Sequence, residues 1–140
     1  MGTRRKSREI AIQILYQLEI NETDIDDAVS TYWDAYDPSP DLKEFSSHIL
    51  KGVFRHRKEI DALISKTSNH WSLRRMPPVD RSILRAAIFE ILYCPDIPIK
   101  VSIDEAIELA KKYGTEKSSA FINGILDKIA HQYPDKKLSA

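Results

Sequence analysis

Cysteine is nearly missing from this chain: Cys94 is the single example in 140 residues. That excludes an internal disulfide and any zinc site built from cysteines. Cys94 ends an apolar stripe and has no histidine near it in sequence, so the expectation is a buried, inert thiol. Glycine is scarce, with four residues, and none forms a loop that could cradle phosphate. GxSxG and HExxH are also missing. The histidines at 48, 56, 70 and 131 are scattered, and no acid joins His48 and His56 at ligand spacing. No catalytic residue, metal site or cofactor is expected. No apolar run approaches the roughly 20 residues needed to span a bilayer. The segment after Arg8 carries Gln13, Gln17 and Glu19, which does not suit the core of a signal peptide. A cytoplasmic protein with no membrane partner is the expectation. Strand-like alternation is weak throughout.

Helical periodicity is what the chain does have. The segment from Val79 to Cys94 places Ile83, Leu84, Ala87, Ile88, Ile91 and Leu92 on one stripe, widened by Ala86 and Phe89. A helix that apolar belongs at the centre. Pro77 and Pro78 precede it, Asp80 suits its N-terminus, and Pro95 closes it. Arg81 and Arg85 lie on its remaining polar face. For Arg85, a salt bridge to Glu105 or Glu108 and an RNA contact are equally open.

Other helices follow the same periodicity. The first is expected over about 7–20, with Ile10, Ala11, Ile14, Leu15 and Leu18 inward. The second, about 25–36, is amphipathic with an acidic outside and ends before the DPSP loop at 37–40. Residues 41–68 read as two helices, about 41–55 and 57–67, joined by a bend, or as one kinked helix. Ser102 and Glu105 have capping-box spacing at the start of the next helix, and Gly114 reads as its left-handed cap. The last helix covers about 116–133. Asn123-Gly124 resembles a hairpin turn, but the apolar period on both sides is helical. Gly124 then suggests close packing against a helix or a nucleic-acid backbone. The fold class is all-α, about seven helices in one domain over 1–140, with an N-terminal helical part about 1–68 and a C-terminal part about 79–134.

Net charge is zero, but the charge is unevenly spread. Residues 19–44 hold nine acids and one Lys43, so the remainder is basic by eight charges. Solvated negative charge is the commoner meaning of such acids, above a cation site. Arg4, Arg5, Lys6 and Arg8 put four cations within five residues. Each cation that displaces a counterion from a phosphate gains affinity for nucleic acid. The first six residues are expected to be loose until bound. Tyr16 and Phe121 lie beside the stripes of their helices, so partial exposure and base stacking are open to them, with core packing as the alternative.

Four stretches in order carry a family resemblance: SREIAIQILYQLE, FSSHILKGVFRHRKEID, DRSILRAAIFEI and VSIDEAIELAKKYGTEKSSAFINGILDKI. Together, from Arg4 to Lys128, they resemble the NusB family of bacterial antitermination factors. The resemblance implies a protein of seven helices in two helical subdomains that pairs with ribosomal protein S10 (NusE). The pair would bind boxA RNA of ribosomal RNA leader transcripts and help RNA polymerase resist termination, within the polymerase's antitermination complex. Some members are homodimers. By the same resemblance, Arg4, Arg5, Lys6, Arg8, Tyr16, Lys117, Phe121 and Asn123 are the RNA-contacting candidates. Asp80 and Arg81 are candidates for the partner surface. Two other readings are a helical adaptor that binds only proteins, and a detached domain of the kind found in ribosomal RNA methyltransferases. The lack of a glycine-rich cofactor loop weighs against the second.

Overall fold

The computed structural model describes residues 2–21, 24–35, 39–68 and 72–133. These residues hold seven α-helices, one turn of 3-10 helix (Leu73–Arg75) and no strand. The helices are α1 (Gly2–Asn21), α2 (Ile25–Ala35), α3 (Pro40–Arg55), α4 (Arg57–Thr67), α5 (Pro78–Tyr93), α6 (Ile99–Tyr113) and α7 (Ser118–Gln132). Tyr36, most of the DPSP loop, His70 and the tail from Pro134 lie outside the described residues.

Helix α5 is the core of the molecule. It begins on Pro78, whose preset φ suits a first turn and whose missing N–H would have been unpaired there anyway. Its residues from Ser82 to Leu92 are all buried, and it packs against α1, α3, α4, α6 and α7. Burying each Ile, Leu or Phe of that run contributes about 1.5–3 kcal/mol. Helix α1 runs antiparallel along it: Arg8 meets Glu90 near the end of α5, and Glu19 meets Arg81 near its start.

Residues 41–68 do form two helices. His56, at φ −106° and ψ 20°, breaks the helical path between α3 and α4. Its ring stacks on Tyr93, with centroids 3.9 Å apart. At Gly52, a Cβ would lie 2.0 Å from Phe89 Cε1, so only glycine lets α3 cross α5 this closely. Cys94 is buried, as expected, but the fold brings His48 Nε2 to 3.7 Å from its sulfur. Helix α2 buries none of its residues and rests on α1, where the Tyr32 hydroxyl donates to Gln13 Oε1 at 2.7 Å.

Several local expectations need correction. Helix α1 starts at Gly2, so Arg4, Arg5 and Lys6 are helical rather than loose. Cations oppose the dipole at a helix N-terminus, but tertiary partners outweigh that: Arg4 lies 3.6 Å from Asp96 and over the Phe45 ring, and Arg5 binds Glu105. The capping box does not form. Helix α6 begins one turn earlier, after Pro98, and Ser102 is inside it. The Ser102 hydroxyl donates instead to Glu90 Oε1 at 2.8 Å, and Glu105 accepts both Arg5 bonds. Gly114 is extended, with φ −94° and ψ −168°, not left-handed. Its Cβ would meet Ser118 Oγ at 2.5 Å and Ala110 O at 2.8 Å, so the need there is space. Gly124 sits within α7 as the period requires, but nothing lies within 4 Å of where its Cβ would be. Arg85 binds neither Glu105 nor Glu108. It donates to both carboxylate oxygens of Asp61, at 2.8 and 3.1 Å, and lies 3.3 Å from Glu19.

Candidate nucleic-acid interface

The first wall of the site is a stripe on α1. Arg5, Glu9, Ile12 and Tyr16 recur at steps of four, three and four, which keeps them on one helix face. This face lies along α6. Arg5 donates to Glu105 through Nε at 2.9 Å and Nη2 at 2.7 Å, and Lys112 donates to Glu9 at 2.7 Å. Burial raises the Glu105 carboxyl, but the Arg5 hydrogen bond is the larger effect and, with the charges of Arg5 and Arg8, holds it below the usual range. Arg5 therefore keeps a fixed orientation while its side chain remains 42 % exposed. Tyr16 continues the stripe one turn further and is exposed, which suits a stacking role.

A second wall forms where the start of α5 meets the α6–α7 turn. An open cleft of 340 Å³ there is lined by Arg75, Pro77, Asp80, Lys117, Ser118 and Phe121, among others. The fold thus joins Asp80, Lys117 and Phe121, three candidates separated by up to 41 positions in sequence. Lys117 is exposed and Phe121 half-buried. The Ser118 hydroxyl ties the turn to α5: it donates to Asp80 Oδ1 at 2.8 Å and accepts the Thr115 N–H at 2.9 Å. Burial pushes the Asp80 carboxyl up, against the opposing pull of Ser118.

Four candidates sit differently from the expectation. Arg8 is enclosed: its guanidinium donates to Glu90 at 2.7 and 2.9 Å, and its side chain is 6 % exposed. A phosphate would have to displace that buried pair, so Arg8 braces α1 against α5. Asp80 is buried and fastens the α6–α7 turn instead of offering a carboxylate to a partner. Arg81 is turned inward onto Glu19 and onto backbone carbonyls of the preceding turn. Asn123 is exposed on α7, but two residues past Phe121 it points about 200° away around the helix, so it is not part of the Phe121 cleft.

Other cations at the two walls were not singled out by the sequence reading. Arg74 and Arg75 are exposed on the 3-10 turn, and Lys111 and Lys112 are exposed at the end of α6. Both are adjacent basic doublets, the only signal they carried. The acids that organise the interior were also missed. Glu90 could have been noticed as a carboxylate inside an otherwise apolar run. Glu19 looked like part of the acidic segment. Burial raises its carboxyl, but Arg81 and Arg85 together outweigh this and hold it below its ordinary value.

No helix among the described residues is long and apolar enough to cross a membrane. The NusB family model matches residues 5–131. A curated relative, transcription antitermination protein NusB of Syntrophus aciditrophicus, is 50 % identical over 127 residues, spanning 91 % of this chain and 79 % of its own length. The solved structure of T. maritima NusB superposes with a TM-score of 0.83 at 40 % identity, covering 98 % of this chain and 93 % of that one. A structure of antitermination factors NusB and NusE in complex with dsRNA gives 0.86 at 26 % identity, covering 95 % and 99 %. With the family model spanning nearly the whole chain and the fold shared end to end, this protein belongs to the NusB family.

Proposed function

We propose that this chain is an RNA-binding transcription antitermination factor. With ribosomal protein S10 (NusE) it binds boxA RNA of ribosomal RNA leader transcripts, and in the cytoplasm it suppresses termination by RNA polymerase. It acts by binding, not by catalysis. The observation that carries this reading is the related NusB–NusE pair on dsRNA, whose NusB-like fold this chain shares over nearly its full length. The geometry supports it. Arg4, Arg5 and Lys6 lie on the first turns of α1, Arg75 and Lys117 border the cleft with Arg74 exposed next to Arg75 on the 3-10 turn, and Tyr16 and Phe121 present partly exposed rings. Affinity then comes mainly from phosphate neutralisation, with one or two bases stacked on the aromatics. The acids on α2 repel RNA, so Asp26 and Asp27 stay off it.

The test is fluorescence anisotropy of a labelled boxA-type RNA with this chain, alone and mixed with S10, over a salt series. The slope of log K against log salt should steepen by about 0.7 for each phosphate contact to a single strand. Neutralising Arg4, Arg5 and Lys6 together should weaken binding and flatten that slope. Unchanged affinity and slope would sink the assignment of these residues, as would an RNA crosslink to Asp26 or Asp27.

A further inference from the structure

The turn before α5 has an unusual support. Residues 72–76 carry no regular helix beyond the three-residue 3-10 segment, yet they present Arg75 at the cleft and Arg74 exposed next to it in the chain. The carbonyls of Leu73, Arg74 and Met76 converge on one nitrogen, Arg81 Nη1, at 3.0, 3.2 and 2.9 Å. The other edge of the guanidinium is fixed as well, because Nε donates to Glu19 of α1. Glu19 is itself held by Arg85 at 3.3 Å, and Arg85 by Asp61 of α4. The Arg81 side chain is only 14 % exposed. A planar guanidinium suits this, with donors directed to two sides at once, while a lysine ammonium cannot hold the same fork.

We infer that Arg81 is a positioning residue for RNA binding: the Glu19–Arg81 clamp fixes the 73–76 turn so that Arg74 and Arg75 meet the RNA backbone. This rests on the functional reading above and deepens it. Without the clamp, three carbonyls lose their donor and the turn samples many conformations. Its two cations would then lose entropy on binding that they have already lost in the clamped state.

Arg85 provides a control. It shares Glu19 with Arg81 and is equally committed to the interior, but it does not touch the turn. The experiment measures salt-dependent binding of boxA-type RNA, with S10 present, by the intact chain and by R81M, R85M, R74A/R75A and the triple variant. Removing Arg74 and Arg75 should flatten the slope by about 1.4, two contacts at 0.7 each. R81M should flatten it by a similar amount and add nothing on top of R74A/R75A, while R85M, which leaves the Arg81 bonds to the turn in place, should flatten it by less than half as much. R81K should restore only part of the loss. Hydrogen exchange gives a readout independent of RNA. In R81M the amides of Arg75 and Met76, bonded to Ser72 and Leu73 in the native turn, should exchange about tenfold faster or more while the amides of α5 stay protected.

An R81M slope equal to wild type overturns the inference. So does a loss that adds to that of R74A/R75A, since Arg81 would then touch RNA itself. An unchanged slope in R74A/R75A, with wild type binding normally, removes the turn from the RNA surface and leaves the functional reading standing. If wild type binds no RNA even with S10, the functional reading fails and the positioning role goes with it. The exchange data then still decide whether Arg81 holds the turn.

Discussion

Replacing Arg8 with methionine separates a structural role from an RNA contact. Arg8 and Glu90 are 6 % and 2 % exposed at their side chains, and Arg8 supplies two charge-assisted hydrogen bonds to the carboxylate. In R8M, Glu90 keeps the hydrogen bond from the Ser102 hydroxyl at 2.8 Å. Removing one partner of such a pair leaves a buried charge uncompensated and costs about 3–5 kcal/mol. A domain of this size has about 5–15 kcal/mol in total, so the melting point should fall by about 10–20 °C. Replacing both residues, R8M with Glu90→Met, removes the charge along with its partner. An apolar pair of similar volume is often neutral or better, so the double variant should regain most of the loss, less the small cost of the stranded Ser102 hydroxyl. Urea unfolding followed by circular dichroism measures this, with the m-value checked for constancy. The RNA salt slope, measured on the same proteins below their melting points, should match wild type in the double variant. The reasoning fails if R8M costs less than about 1 kcal/mol, against the 3–5 expected for a buried pair. It also fails if the double variant is no more stable than R8M, or if it folds well and its slope is still flattened, which would make Arg8 a phosphate contact.

The glycines should respond in opposite directions. Gly52→Ala drives a methyl into Phe89 and should destabilise by about 1–3 kcal/mol. Gly124→Ala meets open space inside α7 and should stabilise by about 0.5–1 kcal/mol in thermal melts. The half-buried Glu19 and Glu105 and the buried Asp80 also have opposite pH signatures. Glu19 and Glu105 are held below their usual values. Their contribution is present above the unfolded value of about 4.3 and is lost as pH falls through the depressed folded values. Asp80 is pushed up by burial. Its ionised form costs stability above the raised folded value, and the cost disappears below the unfolded value of about 3.9. Asp80→Asn should therefore raise the melting point at neutral pH, with the gain shrinking in acid. A gain that grows on acidification would contradict the burial argument.

Sequence alone determined the helices and the centre. An apolar period of 3.6 residues is a local property, and the run from Ile83 to Leu92 is too apolar all round for a surface helix. It is also why the Asn123-Gly124 pair could be read as helix, and why the break near His56 was visible. The family resemblance rested on four ordered stretches of the same local kind. Partners were different. Glu19 with Arg81 and Arg85, Glu90 with Arg8 and Ser102, and Asp80 with Ser118 are separated by 12 to 82 positions. No periodicity encodes which acid meets which base. Charged residues that looked solvated were instead neutralised across helix contacts, because α1 lies antiparallel on α5 and alongside α6. Ser102 shows the same competition within one residue. Its local spacing favoured a cap, but α6 starts one turn earlier and the hydroxyl instead gives the buried Glu90 carboxylate a third hydrogen bond beside the two from Arg8. The candidate RNA surface was therefore legible only in part. Exposed members such as Arg4, Lys6, Tyr16 and Lys117 follow from type and position. The enclosure of Arg8, the inward turn of Arg81 and the arrival of Arg75 at the Phe121 cleft were decided by tertiary packing.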